Sequence, residues 1–292
     1  MPRRPLGAHM SIAGGHDRAL QRGAAIGCSA IQLFTKSSNQ WAAKPLSDEG
    51  AARFRAERRR SGIERVVAHD SYLINLCSPD RALWRRSIEA CALELERCAR
   101  LGIPWLVTHP GGHMGRGEEY GVRRMAEAID AIHERVPAKA ASLALETTAG
   151  QGTVIGYRFE QIAAIIARAR DGERVGVCLD TCHVFAAGYD IRTPAAYRET
   201  MRRLDGEIGL DRLCAVHVND SKREMGSRVD RHEHIGRGSL GLDAFRSLMN
   251  DPRLVDLPLL LETPKGNDCR EDVENLTTLI RLVGRPAAGA RA

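Results

Sequence analysis

Aromatic side chains are scarce in this chain: Phe, Trp and Tyr supply 4% of its 292 residues, although 43% are hydrophobic. The core must be largely aliphatic, as it is where parallel strands are buried on both faces. Lysine is scarce too. Only Lys36, Lys44, Lys139, Lys222 and Lys265 contribute to the 43 basic residues, so the net charge of +6 rests mainly on arginine. Arginine pairs bidentately with phosphate, and a positive surface attracts polyanions, although charge alone is a weak pointer. No apolar run nears the roughly 20 residues that a bilayer span needs, which excludes a membrane helix. The basic start Met1-Pro2-Arg3-Arg4-Pro5 has no apolar segment behind it, so no secretory signal is expected and the expected location is cytoplasmic. Also missing is any Cys-x-x-Cys pair among the eight cysteines, which excludes a zinc ribbon. Cys91 and Cys98 fall in a helical pattern and Cys178 and Cys214 in strand-like runs, as expected of reduced, buried thiols. Cys182 stands out only because His183 follows it.

What the chain does have is alternation. Strand-like runs end at Met10, Phe34, His69, His109, Glu146, Asp180, His217 and Glu262, and a helical pattern follows each. Ser47 and Ser61-Gly62 predict the start and stop of the second helix, and a long third helix is predicted to end at Gly102. Eight β-then-α units predict an α/β fold, a closed (β/α)8 barrel formed as a single domain over residues 1–283, with a frayed tail at 284–292. An open doubly wound sheet would need a phosphate-type glycine loop after the first strand, and Gly14-Gly15 does not match one.

In such a barrel all strand ends meet at one mouth. His69, His109, Glu146, Asp180, His217 and Glu262 each finish an apolar run, and His183, Asp230 and His232 follow in loops just beyond two of those ends. A single histidine or acid at such a position is usually a structural group or a helix cap. Six consecutive strands ending in His, Asp or Glu form a pattern, and imidazole with carboxylate suits zinc, manganese or iron. Nine donors exceed what one ion takes, and with a bridging carboxylate they fit three. Ions held roughly 3.5–4 Å apart suit in-line displacement at phosphorus. His9 and His113 face the mouth by location and are expected to support ligands or touch substrate. His133 is expected at the surface, and His16 and His234 lack a strand-end position.

Several long motifs are more specific still: His69-Asp70-Ser71-Tyr72-Leu73-Ile74-Asn75, Glu146-Thr147-Thr148-Ala149-Gly150-Gln151-Gly152, Val177-Cys178-Leu179-Asp180-Thr181-Cys182-His183, His217-Val218-Asn219-Asp220-Ser221-Lys222 and Gly226-Ser227-Arg228-Val229-Asp230-Arg231-His232. With these, nearly end to end, the chain resembles the bacterial endonuclease IV family of apurinic/apyrimidinic (AP) endonucleases. The resemblance implies a TIM barrel carrying three Zn2+, with Mn2+ at some sites as an option. His69, His109 and Glu146 would hold the first ion. Glu146, Asp180, His217 and Glu262 would hold the second, and His183, Asp230 and His232 the third. It further implies hydrolysis of duplex DNA on the 5′ side of an abasic site, leaving a 3′-hydroxyl and a 5′-deoxyribose phosphate. Cleaning of blocked 3′ ends is also implied. Glu146 and Glu262 would be the catalytic carboxylates, with no protein nucleophile, and the expected working form is a monomer.

Tyr72 matches the family residue that inserts near the lesion. In the loop Phe34-Thr35-Lys36-Ser37-Ser38-Asn39-Gln40-Trp41, Asn39 stands where the family commonly carries an arginine wedge. Lys36, Gln40 or Trp41 is expected to compensate in part, or lesion binding to be weaker. Two other readings compete. A single-metal sugar isomerase or epimerase of related barrel shape needs about four ligands, and a non-catalytic DNA-binding barrel needs none.

Overall fold

The computed structural model describes residues 4–137 and 140–284. The first half of the chain runs β1 (Leu6–His9), α1 (His16–Ala25), β2 (Ala30–Phe34), α2 (Asp48–Ser61), β3 (Arg65–His69), α3 (Arg81–Leu101), β4 (Trp105–Thr108), α4 (Glu118–His133), β5 (Ser142–Glu146) and α5 (Phe159–Arg168). The second half adds β6 (Gly176–Asp180), α6 (Thr181–Ala187), α7 (Pro194–Glu207), β7 (Leu213–His217), β8 (Asp220–Ser221), β9 (His232–Glu233), α8 (Leu242–Met249), β10 (Leu259–Leu261) and α9 (Arg270–Leu282). Eight of the strands close into a barrel in the order β1-β10-β7-β6-β5-β4-β3-β2, all neighbours parallel. The (β/α)8 barrel predicted from the alternation is the fold observed. The tail reading lies, from residue 285 onward, outside the described residues.

Two apolar layers hold it together. Inside the barrel, Ala30, Val67, Val107, Ala144, Cys178, Cys214, Ala215 and Leu260 fill a narrow core with small side chains. Outside, leucines and isoleucines of the strands pack against helical residues such as Phe54, Leu95, Ile129 and Phe245. This division uses the strand periodicity, since alternate residues face opposite sides of the sheet. All eight cysteines are free thiols, and all but Cys269 are buried. Among the described residues no helix is long and apolar enough to cross a membrane.

Helix ends follow local chemistry. Ser47 caps α2 by accepting a hydrogen bond from Gly50 N, and Gly62 stops it in the left-handed region at φ 71°. Asp80 caps α3 through Ala82 N and Leu83 N, and Gly102 ends it at φ 73°.

Two expectations are corrected. His183 lies not in a loop but in the short helix α6, which the Asp180 carboxylate caps by accepting from His183 N at 2.7 Å. His133 is not at the surface. It is buried, Leu143 N donates to its Nε2 at 3.4 Å, and burial with nearby Arg174 pushes its pKa down to about 4.

Candidate metal centre

Parallel strands of a barrel present their C-terminal ends to one face. Here that face receives His69 from β3, Glu146 from β5, Asp180 from β6 and His217 from β7, with His109 and Glu262 one residue beyond β4 and β10. Asp180 and His217 are register partners, so they project together. His183 joins them from the first turn of α6. Asp230 arrives on the long loop that β8 and β9 pin at its base, and His232, expected in that loop, opens the short strand β9 itself.

The nine side chains form three donor groups whose ligand atoms lie within 4.8 Å of one another: His69 with His109 and Glu146; Glu146 with Asp180, His217 and Glu262; His183 with Asp230 and His232. Glu146, fully buried, is shared by two of them. Its Oε2 lies 3.2 Å from His69 Nε2 and 3.3 Å from His109 Nε2, and its Oε1 lies 3.1 Å from His217 Nδ1. Glu262 Oε2 is 3.1 Å from the same His217 nitrogen. In the third group, Asp230 lies 3.1 Å from His183 Nε2 and 3.4 Å from His232 Nε2. Cys182 is also within reach of Asp180 and His232, but burial, with Asp180 adding to it, pushes its thiol up to about 12.

These residues fit metal ions. Glu146 Oε1 and His217 Nδ1 are buried and make no hydrogen bond, although they lie 3.1 Å apart. Buried polar atoms are rarely left so, and a cation between them would satisfy both. The imidazole and carboxylate donor set matches zinc or manganese. One ring nitrogen of each of four histidines is engaged by a neighbouring oxygen: His69 Nδ1 with Asp70 O at 2.8 Å, His183 Nδ1 with Thr147 O at 2.8 Å, His217 Nε2 with Gln32 Oε1 at 2.7 Å and His232 Nδ1 with Glu262 O at 3.3 Å. In the neutral rings, a proton held on each of these nitrogens would leave the lone pair of the other nitrogen for a metal ion.

Gln32 and Asn219 are parts of this site that sequence reasoning missed. Gln32 is a buried amide in the middle of the apolar strand β2. It accepts from His217 and donates to Glu262 Oε1 at 2.5 Å, with His9 Nδ1 at 3.0 Å. Asn219 donates to Asp180 Oδ2 at 2.7 Å and accepts from Glu262 N at 2.8 Å. A lone glutamine inside an apolar strand was the available signal for the first. Asp220 is a third: its carboxylate accepts from the N–H groups of Ser221, Gly236, Gly238 and Leu240, and so anchors the segment that carries Asp230 and His232.

The electrostatics show how tightly the groups are coupled. Burial disfavours an imidazolium at His69, but Glu146 outweighs it and pushes the pKa up to about 9. Burial also opposes the charged forms of His183 and His217, yet both are raised, by Asp180 at the one and by Cys178 and Glu262 at the other. The same opposition between burial and neighbours runs the other way at the acids. Glu146 and Glu262 are held low chiefly by His217, and Asp230 is held down to about 2 by His183. A divalent cation must displace the imidazolium protons to bind. Zinc loading at pH 7 is therefore expected to release protons, with apparent affinity rising as pH increases toward the His69 value of about 9. Titration calorimetry in buffers of different ionisation enthalpy reads this; a proton-neutral, pH-independent loading would refute it.

Around the mouth, Tyr72 is 64% exposed, its ring centre 5.5 Å from that of Phe34 in an edge-to-face pair and 5.8 Å from that of His69 in a tilted one. Asn39 and Gln40 are exposed and Trp41 half-buried, with Arg86 stacked 4.3 Å over its ring. Lys36 turns inward: it is buried, with its ammonium 2.5 Å from Gln40 O and 3.5 Å from Glu94. His9 is half-buried against Phe34, and its partial burial lowers its pKa. His113 lies away from the donor groups in its bonding: its Nδ1 accepts from Gly117 N at 2.9 Å at the start of α4. Beside the third donor group a cleft of about 280 Å³ opens between the Thr148–Gln151 loop and Arg231.

Comparison with known proteins fits this geometry. A family model described as a xylose isomerase-like TIM barrel matches residues 20–281. A probable endonuclease 4 from Chloroflexus aurantiacus is 53% identical over 283 residues, spanning 97% of this chain and 99% of the relative. The chain belongs to the endonuclease IV family. A probable endonuclease 4 from Geobacter sulfurreducens is also 53% identical, over 96% of this chain and 95% of its own. The crystal structure of endonuclease IV from Thermus thermophilus superposes with a TM-score of 0.84 at 38% identity, covering 96% of this chain and 98% of that one. A D-tagatose 3-epimerase-like protein shares only the fold, at 17% identity and a TM-score of 0.70. Membership of the endonuclease IV family makes this chain a metal-dependent phosphodiesterase, and the donor groups at its mouth are suited to a multi-metal mechanism.

Proposed function

We propose that this endonuclease IV family member is a DNA-repair enzyme that hydrolyses the phosphodiester 5′ to an abasic site in duplex DNA through a centre of three Zn2+. The products are a 3′-hydroxyl and a 5′-deoxyribose phosphate, and blocked 3′ ends are substrates of the same site. The supporting observation is Glu146, one buried carboxylate whose two oxygens face different histidines of different donor groups. Divalent cations bound to these groups supply Lewis acidity toward phosphoryl oxygens and lower the pKa of water.

The chain's own residues do the rest. Glu146 spans the first two donor groups and Glu262 closes the second, and both carboxylates stay ionised because the surrounding imidazoles hold their pKa values low. Gln32 and Asn219 fix the rotamers of His217, Glu262 and Asp180, so the centre is preorganised. The cysteine beside the centre does not serve as a nucleophile: Cys182 is held as a neutral thiol. Tyr72, exposed beside His69, would occupy the gap left by a missing base, where extrusion costs least.

The test is cleavage of a duplex carrying one abasic site, with end-group analysis, alongside metal content on the same preparation. Three ions per chain with incision 5′ to the lesion supports the reading. One ion with sugar epimerisation supports the isomerase alternative, and a metallated protein that binds but never cuts defeats any enzymatic role. The exposed Asn39 adds a second expectation. Asn39→Arg puts a longer, positively charged side chain at the loop tip and is expected to tighten binding to abasic duplex several-fold, about 1 kcal/mol; unchanged or weaker binding in a mobility-shift assay would reject a wedge role for this position.

A further inference from the structure

The inner face of α3 carries two charged residues where a packed helix would ordinarily present apolar ones. Glu94 is fully buried and Arg97 is 6% exposed. They stand three residues apart, on one helical face. Buried charges are costly unless paired and hydrogen-bonded, and the partners of both lie in the two loops that border the mouth.

Glu94 reaches both loops at once. One carboxylate oxygen accepts from Thr35 Oγ1 at 3.3 Å, at the start of the loop after β2. The other accepts from Ser71 N at 3.2 Å, in the loop after β3, and lies 3.5 Å from Lys36 Nζ. Arg97 grips the first loop at its two ends, donating from Nε and Nη2 to Thr35 O at 3.0 and 2.6 Å and from Nη1 to Lys44 O at 2.9 Å. Lys36, held by Glu94, donates in turn to Gln40 O. Ser71 Oγ donates directly to Ser38 O at 2.5 Å, which ties one loop to the other. Asn39, Gln40 and Tyr72 are among the exposed side chains left outside this network. None of the nine donors at the mouth belongs to it.

We propose that Glu94 and Arg97 are positioning residues that lock the loops after β2 and β3 into a single preset jaw, which presents Asn39, Gln40 and Tyr72 to the damaged strand. The inference rests on the abasic-site reading above. Prepaying the ordering of both loops in the free protein lowers the entropy lost on binding. Loosening the jaw should therefore weaken capture of a duplex while sparing the chemistry of a substrate too small to touch it.

The experiment compares steady-state kinetics of the metallated protein on an abasic duplex and on bis(p-nitrophenyl) phosphate. Glu94→Gln keeps the shape but removes the charge that gathers Thr35, Ser71 and Lys36. Arg97→Lys keeps the charge but loses the fork onto Thr35 O and Lys44 O, and it serves if the first variant fails to accumulate. Each is expected to raise KM for the duplex about tenfold or more, with kcat and hydrolysis of the small diester unchanged. A residue that merely stabilises the barrel would lower both activities in parallel or leave the duplex KM where it was, and either result overturns the jaw. The unmodified protein separates the two claims. If it leaves the abasic duplex uncut, the substrate assignment fails and the jaw falls with it; if it cuts normally while both variants keep its KM, the jaw alone is wrong.

Discussion

Glu146→Gln is expected to abolish strand cleavage, by at least about a thousandfold, while the barrel stays folded. The amide has the shape of the carboxylate but not its charge or its second acceptor. Glu146 uses both oxygens, one toward His69 and His109 and the other toward His217, so an amide nitrogen on either side turns a donor pair into a repulsive contact with a cation. Folding is spared for a different reason. The carboxylate is what keeps an imidazolium at His69; without it the ring can shed its proton rather than remain a buried, uncompensated charge. Circular dichroism, metal content and turnover on one preparation separate these effects. The expected signature is native ellipticity, reduced metal content and no incision. Turnover within about tenfold of native would mean that Glu146 is not the bridging ligand.

Stripping the metal with a chelator is the second large effect. Incision should vanish and return on adding zinc, and the protein should remain a folded barrel with a lower melting temperature. The barrel's two apolar layers make no use of the centre, so the fold does not depend on it as that of a zinc finger does. Stability nonetheless follows mass action: each site filled at a hundredfold excess over its Kd adds about 2.7 kcal/mol. For a chain of this size that is a shift of roughly 4–5 °C per site. A protein that unfolds outright on chelation, or one that still cuts abasic DNA when free of metal, would contradict the account.

The barrel and its donors were legible because both are periodic facts. Apolar runs that stop in His, Asp or Glu can be read one strand at a time, and closure brings their ends together without further information. What escaped was whatever depends on contacts across the barrel. Gln32 appears as one polar residue in Ala30–Phe34, and only the neighbouring strands show that it bonds His217 and Glu262. Helix α6 is seven residues long, too short for a periodic signal, and its cap Asp180 reads equally well as a ligand. Lys36 reads as a DNA contact in a polar loop, yet its ammonium is drawn inward by Gln40 O and Glu94. His133 looks like a surface residue on a charged helix until Arg174 and the strand beneath cover it. Apart from the short helix, a partner distant in the fold decides each outcome, and no local pattern announces it.

The small side chains that plug the barrel have a consequence for traffic. Ala30, Ala144, Cys178 and Ala215 leave an apolar floor beneath the centre, so bound ions would exchange by the open rim rather than through the far end. A duplex laid across that rim would share that doorway, and while it stayed there the ions below would be shielded from chelators and from exchange with the surrounding solution.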